Sequence, residues 1–113
     1  MAGRSAGNIL RLPDTLPPDE LVEALARGEG VLVERIVSTG QATAPGEWLT
    51  GELDEWVVLL SGEAELSYDD GSLLRLEPGD YVLVPAGERH RVESTSADPP
   101  CVWLAVHAAG LRS

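Results

Sequence analysis

Between Val31 and His107 no stretch runs long enough without interruption to make a helix. Runs of about four to eight residues rich in Val, Leu, Ile and Trp alternate with cuts of Gly, Pro and Asp. That rhythm predicts short antiparallel strands over 31–38, 55–60, 64–68, 73–76, 81–84, 90–94 and 102–107. The clearest turn is Tyr68-Asp69-Asp70-Gly71, because an Asp-Gly pair accepts the positive φ angles of a tight hairpin. Alternation puts Ala64, Leu66 and Tyr68 on one face of the strand before that turn, with Glu65 and Ser67 on the other. So many short strands must hide their edges, which favours a closed barrel with an interior cavity over an open sheet.

Ahead of this region, residues 1–8 are small and polar and are expected to fray. Asn8 to Leu12 reads as a short strand. Pro17-Pro18 then precede Asp19 and Glu20, while Leu21, Val22 and Leu25 recur at helical spacing, Arg27 follows, and Gly28 or Gly30 stops the run. This pattern predicts one short helix over 19–27. With 113 residues, the chain is expected to form a single domain with its barrel core at about 31–108.

The 19 acidic residues outweigh the 8 basic ones, for a net charge of -11. That balance argues against nucleic acid and anionic membrane surfaces as partners. No apolar run approaches the roughly 18 residues that would span a bilayer. All the basic residues are Arg, so Schiff-base chemistry and lysine bases are ruled out. Cys101 is the only cysteine, and no cation beside it would activate the thiol. The start Met1-Ala2-Gly3-Arg4-Ser5 lacks the apolar stretch of a secretory signal, so a cytoplasmic location is the expectation.

The segment from Gly79 to His90, with Pro85-Ala86-Gly87 between them, resembles the second motif of the cupin superfamily. That motif runs Gly, five residues, Pro-x-Gly, two residues, His, three residues, Asn; here it ends on Ser94. Upstream, Glu55 followed by Gly62 resembles the end of the first motif. The resemblance implies an all-β double-stranded β-helix, the jelly-roll barrel of that superfamily, to which the short N-terminal helix is added. In metal-binding cupins the first motif also supplies His-x-His ahead of the Glu, but residues 47–54 of this chain contain no His. Only Glu55 and His90 map onto ligand positions. Glu47 and His107 are the residues that could complete a site for a divalent transition metal, namely Fe, Mn, Zn or Ni.

A carboxylate heading the apolar stripe of Val57 and Leu59 needs a cation or a partner such as Arg35. Arg35, Gln41, Trp48 and Trp103 are candidates to contact a small-molecule ligand, with Arg35 alternatively ion-paired to a neighbouring acid and His107 alternatively structural. Outward Trp56, Val58 and Leu60, together with the N-terminal strand, suggest a homodimer. Two functional classes follow: a metal-dependent enzyme acting on a small organic substrate, and a metal-free barrel that binds or senses a small molecule. No residue selects a reaction.

Overall fold

Eight strands form from these runs in a computed structural model that describes residues 3–113: β1 (Leu21–Gly28), β2 (Val31–Ser38), β3 (Asp54–Ser61), β4 (Ala64–Tyr68), β5 (Leu73–Leu76), β6 (Tyr81–Val84), β7 (His90–Thr95) and β8 (Cys101–Ala108). They make a five-stranded sheet in the order β1-β2-β8-β3-β6 and a three-stranded sheet in the order β5-β4-β7. The fold is an all-β jelly-roll. The β4–β5 hairpin turns at the expected Asp-Gly pair. Gly71 N–H donates to Tyr68 O at 2.9 Å, while Asp70 Oδ1 accepts from the backbone N–H and the hydroxyl of Ser72.

The expected helix over 19–27 is instead strand β1, antiparallel to β2. Leu25 is an extra residue at a bulge between Ala24 and Ala26. A bulge breaks the two-residue period, so the apolar positions fall at spacings that resemble a helix. The strand expected from Asn8 is a turn, in which Arg11 N–H bonds to Asn8 O and Leu10 N–H to Asn8 Oδ1. Of the segment expected to fray, residues 1 and 2 lie outside the described residues.

The two sheets close on a core of Val57, Leu59, Ala64, Leu66, Leu76, Cys101, Trp103 and Ala105. Each sheet supplies part of it, so neither is stable apart from the other. The opposite face of the five-stranded sheet carries Val33, Arg35, Trp56, Val58, Leu83 and Leu104, matched strand to strand by the register. Trp56 stacks there on Tyr81 at 5.7 Å between ring centroids.

Asp54, the first residue of β3, ties three pieces of chain together. Its Oδ1 accepts the Ala86 N–H at 2.8 Å and its Oδ2 the Leu111 N–H at 2.9 Å. The bond from Ala86 is the main reason its carboxyl is held below the ordinary aspartate value, with the Leu111 bond adding to it and burial opposing both. A depressed folded pKa contributes stability that is present above the unfolded value and is lost as pH falls through the folded one. Asp54→Asn is therefore expected to be less stable than the parent at pH 7, with the gap closing as the pH falls below about 3.9. Urea unfolding of both proteins across that range checks it; a gap that stays constant in acid would contradict it.

Candidate functional site

At the end of the core nearest β7 the sheets part to leave a cavity of about 110 Å³, walled by Ile36, Leu49, Val57, Leu66, Val84, Val92 and Trp103, with Glu20, Glu55 and His90 as its polar groups. It is smaller than the roughly 150 Å³ that accommodates benzene in an engineered core. The wall residues that lie in strands are placed by the alternation of side chains. Glu55 and Val57 share a face of β3, Trp103 points the same way from β8, and Ile36 sits opposite Trp103 on β2. Leu49 and His90 exchange backbone hydrogen bonds at 2.7 and 3.0 Å, which holds residues 43–49 over one side of the opening.

His90 Nδ1 lies 3.1 Å from Glu88 O. A carbonyl only accepts, so Nδ1 donates, and in the neutral form of the ring Nε2 is then an acceptor. The ring packs against Tyr68, with centroids 6.5 Å apart. Burial, helped by the Glu88 and Asp70 carboxylates, pushes the Tyr68 phenol above its ordinary pKa, so it stays protonated beside the imidazole.

Glu55 does not pair with Arg35, which points to the other face of the sheet. Its neighbour is His107, whose Nε2 is 3.6 Å from Glu55 Oε2 and 2.8 Å from Glu34 Oε1. The three side chains are only 17–25% exposed. Glu34 was not a candidate from sequence, although alternation along β2 sets it on the same face as Ile36. The other partner missed is Glu20, whose Oε2 accepts from the Ser38 hydroxyl at 2.6 Å, while Ser38 Oγ accepts from Trp103 Nε1 at 3.1 Å. Ser38 is fully buried, so this chain of bonds fixes both the indole and the carboxylate at the mouth.

The remaining candidates lie outside the cavity. Arg35 is 8% exposed on the outer face, ion-paired with Glu23 and donating to Ile9 O at 3.0 Å and Arg11 O at 2.8 Å. It anchors the N-terminal segment, and the ion pair weighed as its alternative is the arrangement found. The Arg89 and Arg91 guanidiniums both lie over the Trp48 ring, 5.1 and 5.8 Å from its centroid, so the indole is engaged by cations outside the cavity. Arg91 also donates to the carbonyls of Thr43, Ala44 and Glu47, which pins that loop. Gln41 is spent on Thr39 and Pro18 O, and with Glu47 it borders an adjoining groove that shares Glu20, Leu49 and Val92 with the cavity.

The donors expected for a metal therefore do not assemble. Glu47 faces the groove, His107 is held between two carboxylates, and among the described residues no group of three or more His, Cys, Asp or Glu is placed to hold a metal ion. A transition-metal site requires its ligands to converge on one point at about 2.0–2.3 Å. Glu55 and His90 alone do not fit that requirement.

A candidate mannose-6-phosphate isomerase from Ralstonia eutropha JMP134 is 39% identical, with a TM-score of 0.89 over 95% of this chain and 100% of that one. A protein from Thermus thermophilus is 25% identical, with a TM-score of 0.74 over 92% of this chain and 96% of that one. A cupin superfamily protein from Desulfitobacterium hafniense DCB-2, 20% identical, shares the fold with a TM-score of 0.71 over 86% of this chain and 84% of that one. No curated protein matches the chain. The family profile of the cupin domain matches residues 33–107, more than half of the chain and nearly all the strands that wall the cavity, and the protein belongs to the cupin family.

Proposed function

We propose that this cupin is a small-molecule-binding barrel that works without a resident metal. A compact ligand enters past Leu49 and Glu20, meets Glu55 and His90, and lies against the Trp103 ring. The observation that carries this reading is the pairing of His107 with Glu34. It removes the one further imidazole of the chain from the donor set while Glu55 and His90 still face a walled, largely apolar cavity. Such a mixture of apolar walls and a few fixed polar groups is what small-molecule sites share.

The metal-dependent alternative, with Fe, Mn, Zn or Ni, would need His107 to leave Glu34 and converge with Glu55 and His90. The sugar-phosphate chemistry named for the Ralstonia protein is also a poor fit. No guanidinium lines this cavity, and a phosphate there would face Glu20 and Glu55 uncompensated. The reading predicts that protein expressed with ample Fe, Mn, Zn and Ni retains less than about a tenth of an equivalent of any of them, in parent and His90→Ala alike. Elemental analysis of the purified protein checks it, and a stoichiometric metal lost on His90→Ala would overturn it.

A further inference from the structure

The polar atoms around the cavity differ in whether they can donate or accept, and that difference specifies a ligand. Apart from His90, the only side-chain N–H donor among the lining residues is Trp103 Nε1–H, and it is spent on Ser38 Oγ. His90 Nδ1–H is committed to Glu88 O, so Nε2 is an acceptor in the neutral ring. Glu20 Oε2 takes the Ser38 hydroxyl, but Glu20 Oε1 accepts no hydrogen bond among the described residues. Among the described residues Glu55 accepts no hydrogen bond, and its ion-pair neighbour is His107, 3.6 Å from one oxygen. With the His90 ring neutral, every side-chain polar atom left for a ligand is an acceptor, and two of the three groups are carboxylates whatever the state of that ring. No Arg lines the cavity and the chain has no Lys, so nothing there neutralises an anion.

We infer that the ligand group held in this cavity is a compact organic cation, a protonated alkylamine. An ammonium brings three N–H donors and no acceptor, which complements this set of atoms. The alkyl part then lies against Ile36, Val57, Val92 and the Trp103 ring, and the indole face adds attraction for the charge. A bare metal ion is also an acceptor-seeking cation, but it needs at least three ligands drawn to one point, and the described residues offer no such group. An ammonium tolerates the wider separation, because each of its donors reaches its own acceptor at about 2.7–2.9 Å. The cavity volume of about 110 Å³ limits the enclosed part to a short chain.

This inference rests on the proposed small-molecule reading, and one set of titrations separates the two. Propylammonium, 1-propanol and propionate are nearly isosteric and differ in charge and donor count. Each is titrated at pH 7 and constant ionic strength, with binding followed by ligand-detected NMR. Propylammonium is expected to bind at least tenfold more tightly than 1-propanol, with propionate weakest. Glu55→Gln should reduce the propylammonium affinity about tenfold and leave 1-propanol unchanged; if that variant fails to fold, Glu20→Gln at the exposed mouth carries the same comparison. Equal affinity for the amine and the alcohol, or tighter binding of propionate, would overturn the cation and leave the cavity reading standing. Binding of none of the three would overturn both.

Discussion

Gly62→Ala is expected to destabilise the protein by about 3–5 kcal/mol, from backbone strain of roughly 1–3 and overpacking of a similar size. Gly62 has a φ of +87°, and a Cβ placed on it would lie 2.8 Å from Cys101 Cα, Cys101 Sγ and Ser96 Oγ. The Cα belongs to β8, so relief requires a central strand to move. Cys101 is fully buried and bonded to Glu63 O at 3.1 Å, which leaves it no room to yield. In a domain of this size the loss corresponds to a fall in Tm of about 10–20 °C. Gly79→Ala is the internal control. Its φ of +95° is as unfavourable, but nothing lies within 4 Å of the added Cβ, so only the strain remains. Thermal unfolding of the pair should rank Gly62→Ala well below Gly79→Ala; equal losses would mean that the close approach of Gly62 to β8 carries no energetic weight.

Trp103→Ala should cost about as much, roughly 3–5 kcal/mol, because it empties the largest side chain of the core. It also removes the donor to Ser38 and, through Ser38, the support of Glu20 at the mouth. Trp103→Phe separates the two effects. Most of the volume is kept, but the buried Ser38 loses its N–H donor, at a cost of about 1–3 kcal/mol. Urea denaturation at neutral pH checks the order, alanine worst and phenylalanine intermediate. A Phe variant as unstable as the Ala variant would place the hydrogen-bond chain, rather than packing, at the centre of this region.

Strands were legible where turn residues punctuate apolar runs: β2, β4, β5 and β6 have the expected limits, and β3, β7 and β8 extend them by one or two residues. β1 was illegible because its bulge at Leu25 destroys the alternation and its leading prolines and acids imitate a helix start. The motif residues Glu55 and His90 both reach the cavity, Glu55 beside Asp54 at the start of β3 and His90 opening β7 just after the turn at Pro85–Glu88. Arg35 misled because the outer face of β2, with Val31, Val33 and Val37, is more apolar than the inner one. Valines of that kind suggest an interior position, whereas the N-terminal segment and Glu23 satisfy the guanidinium on the outside of the sheet. Glu34 and Glu20 were hidden for related reasons, one on the less apolar face of β2 and the other at the start of the expected helix. Their partners, His107 and Ser38, lie 73 and 18 positions away in sequence, contacts that only the sheet register brings together.

The central claim, that ligands lodge among Glu55, His90 and Trp103, is tested most directly by the three indole N–H signals of the protein. Trp103 walls the cavity, Trp56 stacks on Tyr81 on the far side of the sheet, and Trp48 lies outside it under the guanidiniums of Arg89 and Arg91. In a ¹⁵N-correlated NMR titration with propylammonium and 1-propanol, the Trp103 indole signal is predicted to move saturably, with Trp48 and Trp56 stationary. Movement of Trp48 or Trp56 alone, with Trp103 unchanged, would contradict the account.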